Sequence, residues 1–221
     1  MVNIQSKIGK KADSWIVKNI YRKISWPIVV LLSKIGITPN MVSFLSLISA
    51  IISGFFFSLG DWPDLVKGYI FFQLAILLDV VDGSLARYTG IKGTYGSWVD
   101  EVTNKLHKFF FVLGITIGIY KNTANSWYII LGFIANFLWF FSAYISETIA
   151  LKFAFKDDIT IFKEEKRKIA LSFSLLVTNM FGLLILFNRP VLALWFISLI
   201  SLNAFRQIYF VRRQWYKENR S

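Results

Sequence analysis

The feature that most limits what this chain can fold into is a succession of apolar stretches, each long enough to cross a bilayer. A helix needs about 20 mostly apolar residues to span the hydrocarbon core. Such stretches recur at about 39–59, 66–90, 95–120, 127–150, 168–188 and 190–212. The intervals between them carry turn chemistry, as in Gly60-Asp61-Trp62-Pro63, Thr89-Gly90-Ile91-Lys92-Gly93 and Asn188-Arg189-Pro190. A 221-residue chain that is 55% hydrophobic, with mean hydropathy +0.53, is too apolar for an ordinary soluble domain. The expectation is an all-α integral membrane protein with six transmembrane helices in one bundle.

Residues 1–36 differ from the rest. Trp15, Ile16, Ile20 and Ile24 recur at helical spacing, with Lys18, Arg22 and Lys23 on the other faces. This pattern suits an amphipathic helix lying in the membrane interface, capped by Asp13 or Ser14. The first residues are polar and charged, unlike a signal peptide. Gly36-Ile37-Thr38-Pro39 then breaks the pattern, with Thr38 placed to cap the first span and Pro39 at its first helical position. The chain divides into an interfacial segment (1–36), a six-helix membrane domain (37–214) and a cytoplasmic tail (215–221).

The net charge is +12. With the N-terminus inside, 22 of the 25 Lys and Arg residues fall on the inner side; only Lys67, Lys121 and Arg189 fall outside. The basic face therefore meets anionic lipid and an anionic substrate rather than nucleic acid. There is no cysteine and a single histidine, His107, which excludes disulfides and any cysteine or multi-histidine metal site.

Two polar clusters interrupt the apolar pattern at the junction of the second and third spans. One is Asp79-Val80-Val81-Asp82-Gly83-Ser84-Leu85-Ala86-Arg87, the other Gly96-Ser97-Trp98-Val99-Asp100-Glu101-Val102-Thr103-Asn104. Asp79 and Asp82 stand three apart, and Asp100 and Asn104 four apart, so each pair shares a helix face. Carboxylates in such surroundings are costly to bury and mark a functional site. Facing carboxylates that would repel one another are most simply explained by a divalent cation with oxygen ligands, Mg²⁺ or Mn²⁺. The charge distribution puts this site on the cytoplasmic side.

The spacing Asp-x2-Asp-Gly-x2-Ala-Arg-x8-Gly-x3-Asp-x3-Asp resembles the signature of the CDP-alcohol phosphotransferases. The match holds at seven of eight marked positions: Asp79, Asp82, Gly83, Ala86, Arg87, Gly96 and Asp100. The resemblance implies a multi-pass enzyme of phospholipid biosynthesis, commonly dimeric, so a homodimer is expected. It implies that an alcohol hydroxyl displaces CMP from a CDP-linked donor, for which CDP-diacylglycerol suits an apolar bundle. On this reading Asp79, Asp82 and Asp100 hold the metal against the pyrophosphate. Gly83, Ala86 and Gly96 keep the approach open, and Arg87 binds phosphate or a carboxylate.

The eighth position is Asn104 where the family has aspartate, taken there as the base for the acceptor hydroxyl. An amide cannot take that proton. Three explanations compete: His107, on the same face as Asp100 and Asn104, acts as a substitute base; the acceptor needs no side-chain base; or the chain is a catalytically impaired nucleotide- or lipid-binding relative. For His107 alone, a packed imidazole is the plainer reading. Arg167 and Arg206, near the inner ends of the last two spans, are candidates for a phosphorylated acceptor, or else ordinary interfacial anchors. A transporter vestibule is the third class of reading. Gly114 and Gly118, four apart, are expected to permit close helix contact.

Overall fold

Thr38 caps the first long helix with its side-chain oxygen, which accepts from the Met41 backbone N–H at 3.4 Å, and Pro39 occupies the first turn. The computed structural model describes residues 17–91, 93–152 and 176–218, and all regular structure within them is helical. A π-helical turn, Val17–Tyr21, leads into α1 (Arg22–Lys34). There follow α2 (Pro39–Leu59), α3 (Trp62–Thr89), α4 (Thr94–Thr123), α5 (Trp127–Lys152), α6 (Leu176–Leu186), α7 (Pro190–Ser201) and α8 (Asn203–Glu218). Left-handed residues end several of them. Gly60 and Gly90 do this at φ 88° and 74°, and Asn188 sits in the turn before Pro190 at φ 57°.

Four helical stretches are long and apolar enough to cross a membrane: Pro39–Leu59, Trp62–Thr89, Trp127–Ile145 and Pro190–Tyr209. The expected third span forms a 30-residue helix, α4, but Asp100, Glu101, Asn104, Lys105, His107 and Lys108 crowd its first half and dilute its apolar character. Of the expected fifth span only α6 is described. The expected sixth span is divided at Leu202, whose N–H turns back to Leu199 at 3.3 Å in a tightened turn before α8. Of the expected N-terminal helix, residues up to 16, with Asp13, Ser14 and Trp15, lie outside the described residues. The remainder packs Tyr21, Ser25 and Val29 inward and leaves Ile20, Ile24 and Leu31 exposed.

α2 is the helix against which the site is built. It packs along both α3 and α4, while α3 and α4 touch each other only sparsely. Against α3 it runs antiparallel in a serine register: Ser46 Oγ donates to the Ala75 carbonyl at 2.7 Å, and Ser53 Oγ to the Gly68 carbonyl at 2.8 Å. Buried serines thereby link helices without leaving a hydroxyl unsatisfied in an apolar layer. Against α4 it runs parallel and closer still. A Cβ on Gly114 would stand 2.2 Å from the Gly54 carbonyl oxygen, and one on Gly118 2.3 Å from that of Phe57. Phe55-Phe56-Phe57 on α2 and Phe109-Phe110-Phe111 on α4 split by face: Phe57 and Phe111 are buried, Phe55 and Phe109 exposed.

Tyr21 joins this frame from the N-terminal side. Its hydroxyl lies 3.0 Å from Gln73 Oε1 and 3.1 Å from Asn179 Oδ1, tying the π-turn to α3 and α6.

Because only backbone surrounds the Gly114 site, α2 and α4 must part to admit a methyl group. Gly114→Ala is expected to cost about 1–3 kcal/mol, read as a lower unfolding midpoint in detergent. Gly96→Ala, which would meet nothing nearer than Asn40 Oδ1 at 3.7 Å, should change stability by less than about 0.5 kcal/mol. Equal effects would refute the close-packed α2–α4 seam.

Candidate metal and phosphate site

Three elements end together because α2 runs antiparallel to α3 and parallel to α4. These are the start of α2, the last turns of α3 and the first turns of α4. Helical periodicity then puts Asp79 and Asp82 on the face of α3 that meets Asp100 from α4. One carboxylate oxygen from each of the three lies within 4.8 Å of the others. Asp82 is buried; Asp79 and Asp100 are partly exposed, so the cluster opens to one side.

Several neighbours fix these carboxylates. Ser43 Oγ donates to Asp82 Oδ2 at 2.6 Å, with both residues buried. Asn104 Nδ2 donates to Asp100 Oδ1 at 3.1 Å. The Asp79 carboxylate also feels the charges of Asp82 and Asp100. Three acidic groups in one apolar pocket repel unless a cation joins them. The donor set is all oxygen and anionic, and an octahedral ion with bonds near 2.1 Å sets its oxygens roughly 3–4 Å apart. The trio therefore fits a hard divalent cation such as Mg²⁺ or Mn²⁺.

The remaining motif residues surround this cluster. A Cβ on Gly83 would meet only the Arg87 guanidinium, with Nη1 at 3.4 Å, and one on Gly96 only Asn40. Neither glycine is demanded by helix packing, in contrast to Gly54, Gly114 and Gly118. The room at Gly83 lies beside Arg87, and that at Gly96 beside Asn40. Ala86 follows Asp82 by one turn and keeps that face of α3 low. Arg22 from α1 donates through Nη1 to Ser84 Oγ, whose own proton goes to the Val80 carbonyl at 2.5 Å. The N-terminal helix is thus pinned to the motif helix by a guanidinium.

His107 is buried, 3.2 Å through Nε2 from Ser46 Oγ, and packs on Phe111. Ser46 has one hydroxyl proton and spends it on the Ala75 carbonyl, so the ring donates its Nε2–H to Ser46. Arg206 is exposed on α8. Arg167 lies outside the described residues. The sequence reading passed over Ser43, Ser46 and Ser84. Their signal was present, since Ser43, Ser46, Ser49 and Ser53 follow one face of an apolar helix.

Ser43 has a stated job in this geometry, to hold Asp82 turned toward Asp79 and Asp100. Ser43→Ala is expected to weaken Mn²⁺ binding about 10–100-fold, measured by calorimetry on the purified protein with helix content unchanged. Unaltered affinity would show that Asp82 is oriented without it.

Residues 36–202 match the sequence model of the CDP-alcohol phosphatidyltransferase family. An archaetidylinositol phosphate synthase of Pyrococcus horikoshii is 29% identical over 87 residues, which cover 39% of this chain and 45% of that protein. An uncharacterized protein of Aquifex aeolicus is 25% identical over 121 residues, 54% of this chain and 59% of that one. The chain thus matches only about half the length of these relatives. In fold it is similar to the crystal structure of Mycobacterium tuberculosis phosphatidylinositol phosphate synthase with CDP-DAG bound. The TM-score is 0.63 and the identity 18%, over 85% of this chain and 92% of the other. It is equally similar to the form of that enzyme in complex with manganese and citrate, at TM-score 0.63 and 17% identity over 84% and 87% of the two chains.

Proposed function

Because this chain belongs to the CDP-alcohol phosphatidyltransferase family, we propose that it is a multi-pass membrane transferase with its site on the cytoplasmic side. It moves a phosphatidyl or related substituted phosphoryl group from a CDP-linked donor to an alcohol, releasing CMP. The observation that carries this reading is the convergence of Asp79, Asp82 and Asp100, from two helices, to within 4.8 Å.

In this reaction the acceptor hydroxyl gives up its proton to solvent and its oxygen forms a bond to the phosphorus that bears the lipid. The pyrophosphate P–O bond breaks, and CMP leaves with the bridging oxygen. Mg²⁺ or Mn²⁺ held by the three aspartates would neutralise charge on the pyrophosphate. Arg87 supplies a permanent, planar donor set to a phosphate oxygen. Gly83 and Gly96 keep the mouth of the cluster free of side chains so that the nucleotide can come close to both helices. Positioning and charge neutralisation account for most of the catalysis in phosphoryl transfer. The chain's residues are therefore arranged to hold the donor in place.

The donor best suited to an apolar bundle is CDP-diacylglycerol, the ligand named for the mycobacterial structure. Inositol phosphate is the favoured acceptor class, because both named relatives are inositol phosphate lipid synthases. Arg206, and Arg167 with it, are the cations assigned to that phosphate. The positive-inside charge pattern and the exposed apolar side chains of α1 support an interfacial N-terminal helix beside the site.

Purified protein given CDP-diacylglycerol, Mg²⁺ or Mn²⁺ and a panel of alcohols should release CMP. The panel includes inositol phosphate, glycerol phosphate and serine. Chelation should stop the release, and Asp82→Asn should reduce it to below about a hundredth. Donor binding without CMP release for any alcohol would instead support the impaired, binding-only relative that Asn104 raises.

On this proposal His107 is a packed residue that donates to Ser46. His107→Ala should then keep CMP release within about tenfold of the parent and lower the unfolding midpoint instead. Complete loss of turnover in a folded variant would make His107 the acceptor's base.

A further inference from the structure

The polar stripe of α4 does not stop at Asn104. Asp100 and Asn104 are followed after one more turn by Lys108, and all three are partly exposed. Val112, Ile115 and Ile119 continue the same stripe at 0%, 1% and 4% exposure and belong to the core of the bundle. The outer stripe of α4 is a different one, marked by the exposed Phe109, Leu113 and Ile117. Lys108 therefore points into the bundle, and it is the last polar residue before that stripe is sealed.

The wall opposite is α5. The Lys108 ammonium lies 5.6 Å from the centroid of the Trp139 ring. Trp139 is buried and packs on Phe181 of α6, with ring centroids 5.7 Å apart. A cation in an apolar layer is costly and marks a functional site; the ring face offsets part of that cost. The start of α8 comes to the same part of α5, since Phe205 packs on Phe141 at 5.9 Å.

α4 rises about 1.5 Å per residue, which sets Lys108 about 12 Å along the axis from Asp100. Side chains on a helix lean toward its N-terminus, here the open end of the site, so the lysine chain covers part of that distance. An anion held at Lys108 leaves room for a small polyol between it and the aspartate cluster. The donor's pyrophosphate is assigned to Asp79, Asp82, Asp100 and Arg87, and the α4–α5 side is left for the second substrate.

We propose that Lys108 binds the phosphate of the acceptor, on the inward stripe between the aspartate cluster and Trp139. It shares that phosphate with Arg206, an exposed cation of α8. Lys108 holds the far end of the acceptor and takes no part in making or breaking bonds. The inference rests on the transferase reading and adds the residue that selects a phosphorylated alcohol.

The test measures binding and turnover on the full-length protein in detergent with Mn²⁺. Inositol phosphate and glycerol phosphate are titrated by calorimetry into the parent, Lys108→Met and Lys108→Arg. CMP release from CDP-diacylglycerol is followed with the same two acceptors and with inositol and serine. Lys108→Met is expected to weaken binding of a phosphorylated alcohol about 10–100-fold, as for loss of a hydrogen bond to a charged group, with CDP affinity unchanged. Lys108→Arg, which keeps the charge, should restore most of the affinity. A lower unfolding midpoint in Lys108→Met with unaltered acceptor binding would overturn the proposal and leave Lys108 a packing partner of Trp139. An equal loss of CDP binding, or no binding of either phosphorylated alcohol by the parent, would overturn it as well. CMP release with inositol or serine alone would do the same while leaving the transferase standing. Binding of inositol phosphate that depends on Lys108, without CMP release for any acceptor, would support the assignment and overturn the transferase reading.

Discussion

The site exists because α2 lies against two helices that hardly touch each other. Asp79 and Asp82 on α3 and Asp100 on α4 meet only because both helices are registered on this common partner. On one side the register is fixed by hydroxyl-to-carbonyl bonds, Ser46 to Ala75 and Ser53 to Gly68, seven residues apart on each helix. On the other side it is fixed by backbone contact at Gly54, Gly114 and Gly118. A lipid-facing bundle gains little from apolar burial between helices, so close packing and satisfied polar groups carry the association. The carboxylate cluster inherits its geometry from these contacts.

The same frame explains why so many polar groups are tolerated in an apolar chain. Nearly every buried hydroxyl finds a carbonyl or a carboxylate, whether on its own helix or across a seam. Among the described residues, Asn136 Oδ1 is the one buried side-chain polar atom with no hydrogen-bond partner. Around the acidic cluster the arrangement becomes specific. Ser43 and Asn104 donate to carboxylates, while Ser46 accepts from His107. The single histidine is thereby held as part of the α2–α4 seam, one turn below the residues that face the open side.

Some of this was legible in the residues themselves. The i, i+3 and i, i+4 spacings of the acidic motif gave the shared faces, and Thr38-Pro39 gave the start of α2. Gly114 and Gly118 pointed to a close helix approach, which α2 supplies. The six-span pattern was less secure. α4 is long enough for a span, yet the motif's own polar residues lower its apolar character, so a count of apolar stretches and a count of helices diverge there. Ser43 was overlooked because a serine in an apolar helix has no visible partner until the neighbouring helix is in place. The same holds for Arg22, whose place in an amphipathic pattern suggested lipid contact, although it also pins α1 to Ser84.

The sequence by itself determined the all-helical class, the family and which side chains are acidic, because these depend on local spacing and on the energetic cost of charge in an apolar run. Tertiary structure alone decided which oxygens face one another and which donors occupy the rest. Apart from Asn104, which reaches Asp100 within α4, those partners come from other helices at separations of tens of residues, and hydrogen bonds across helices depend on register to within an ångström. No local pattern encodes that register.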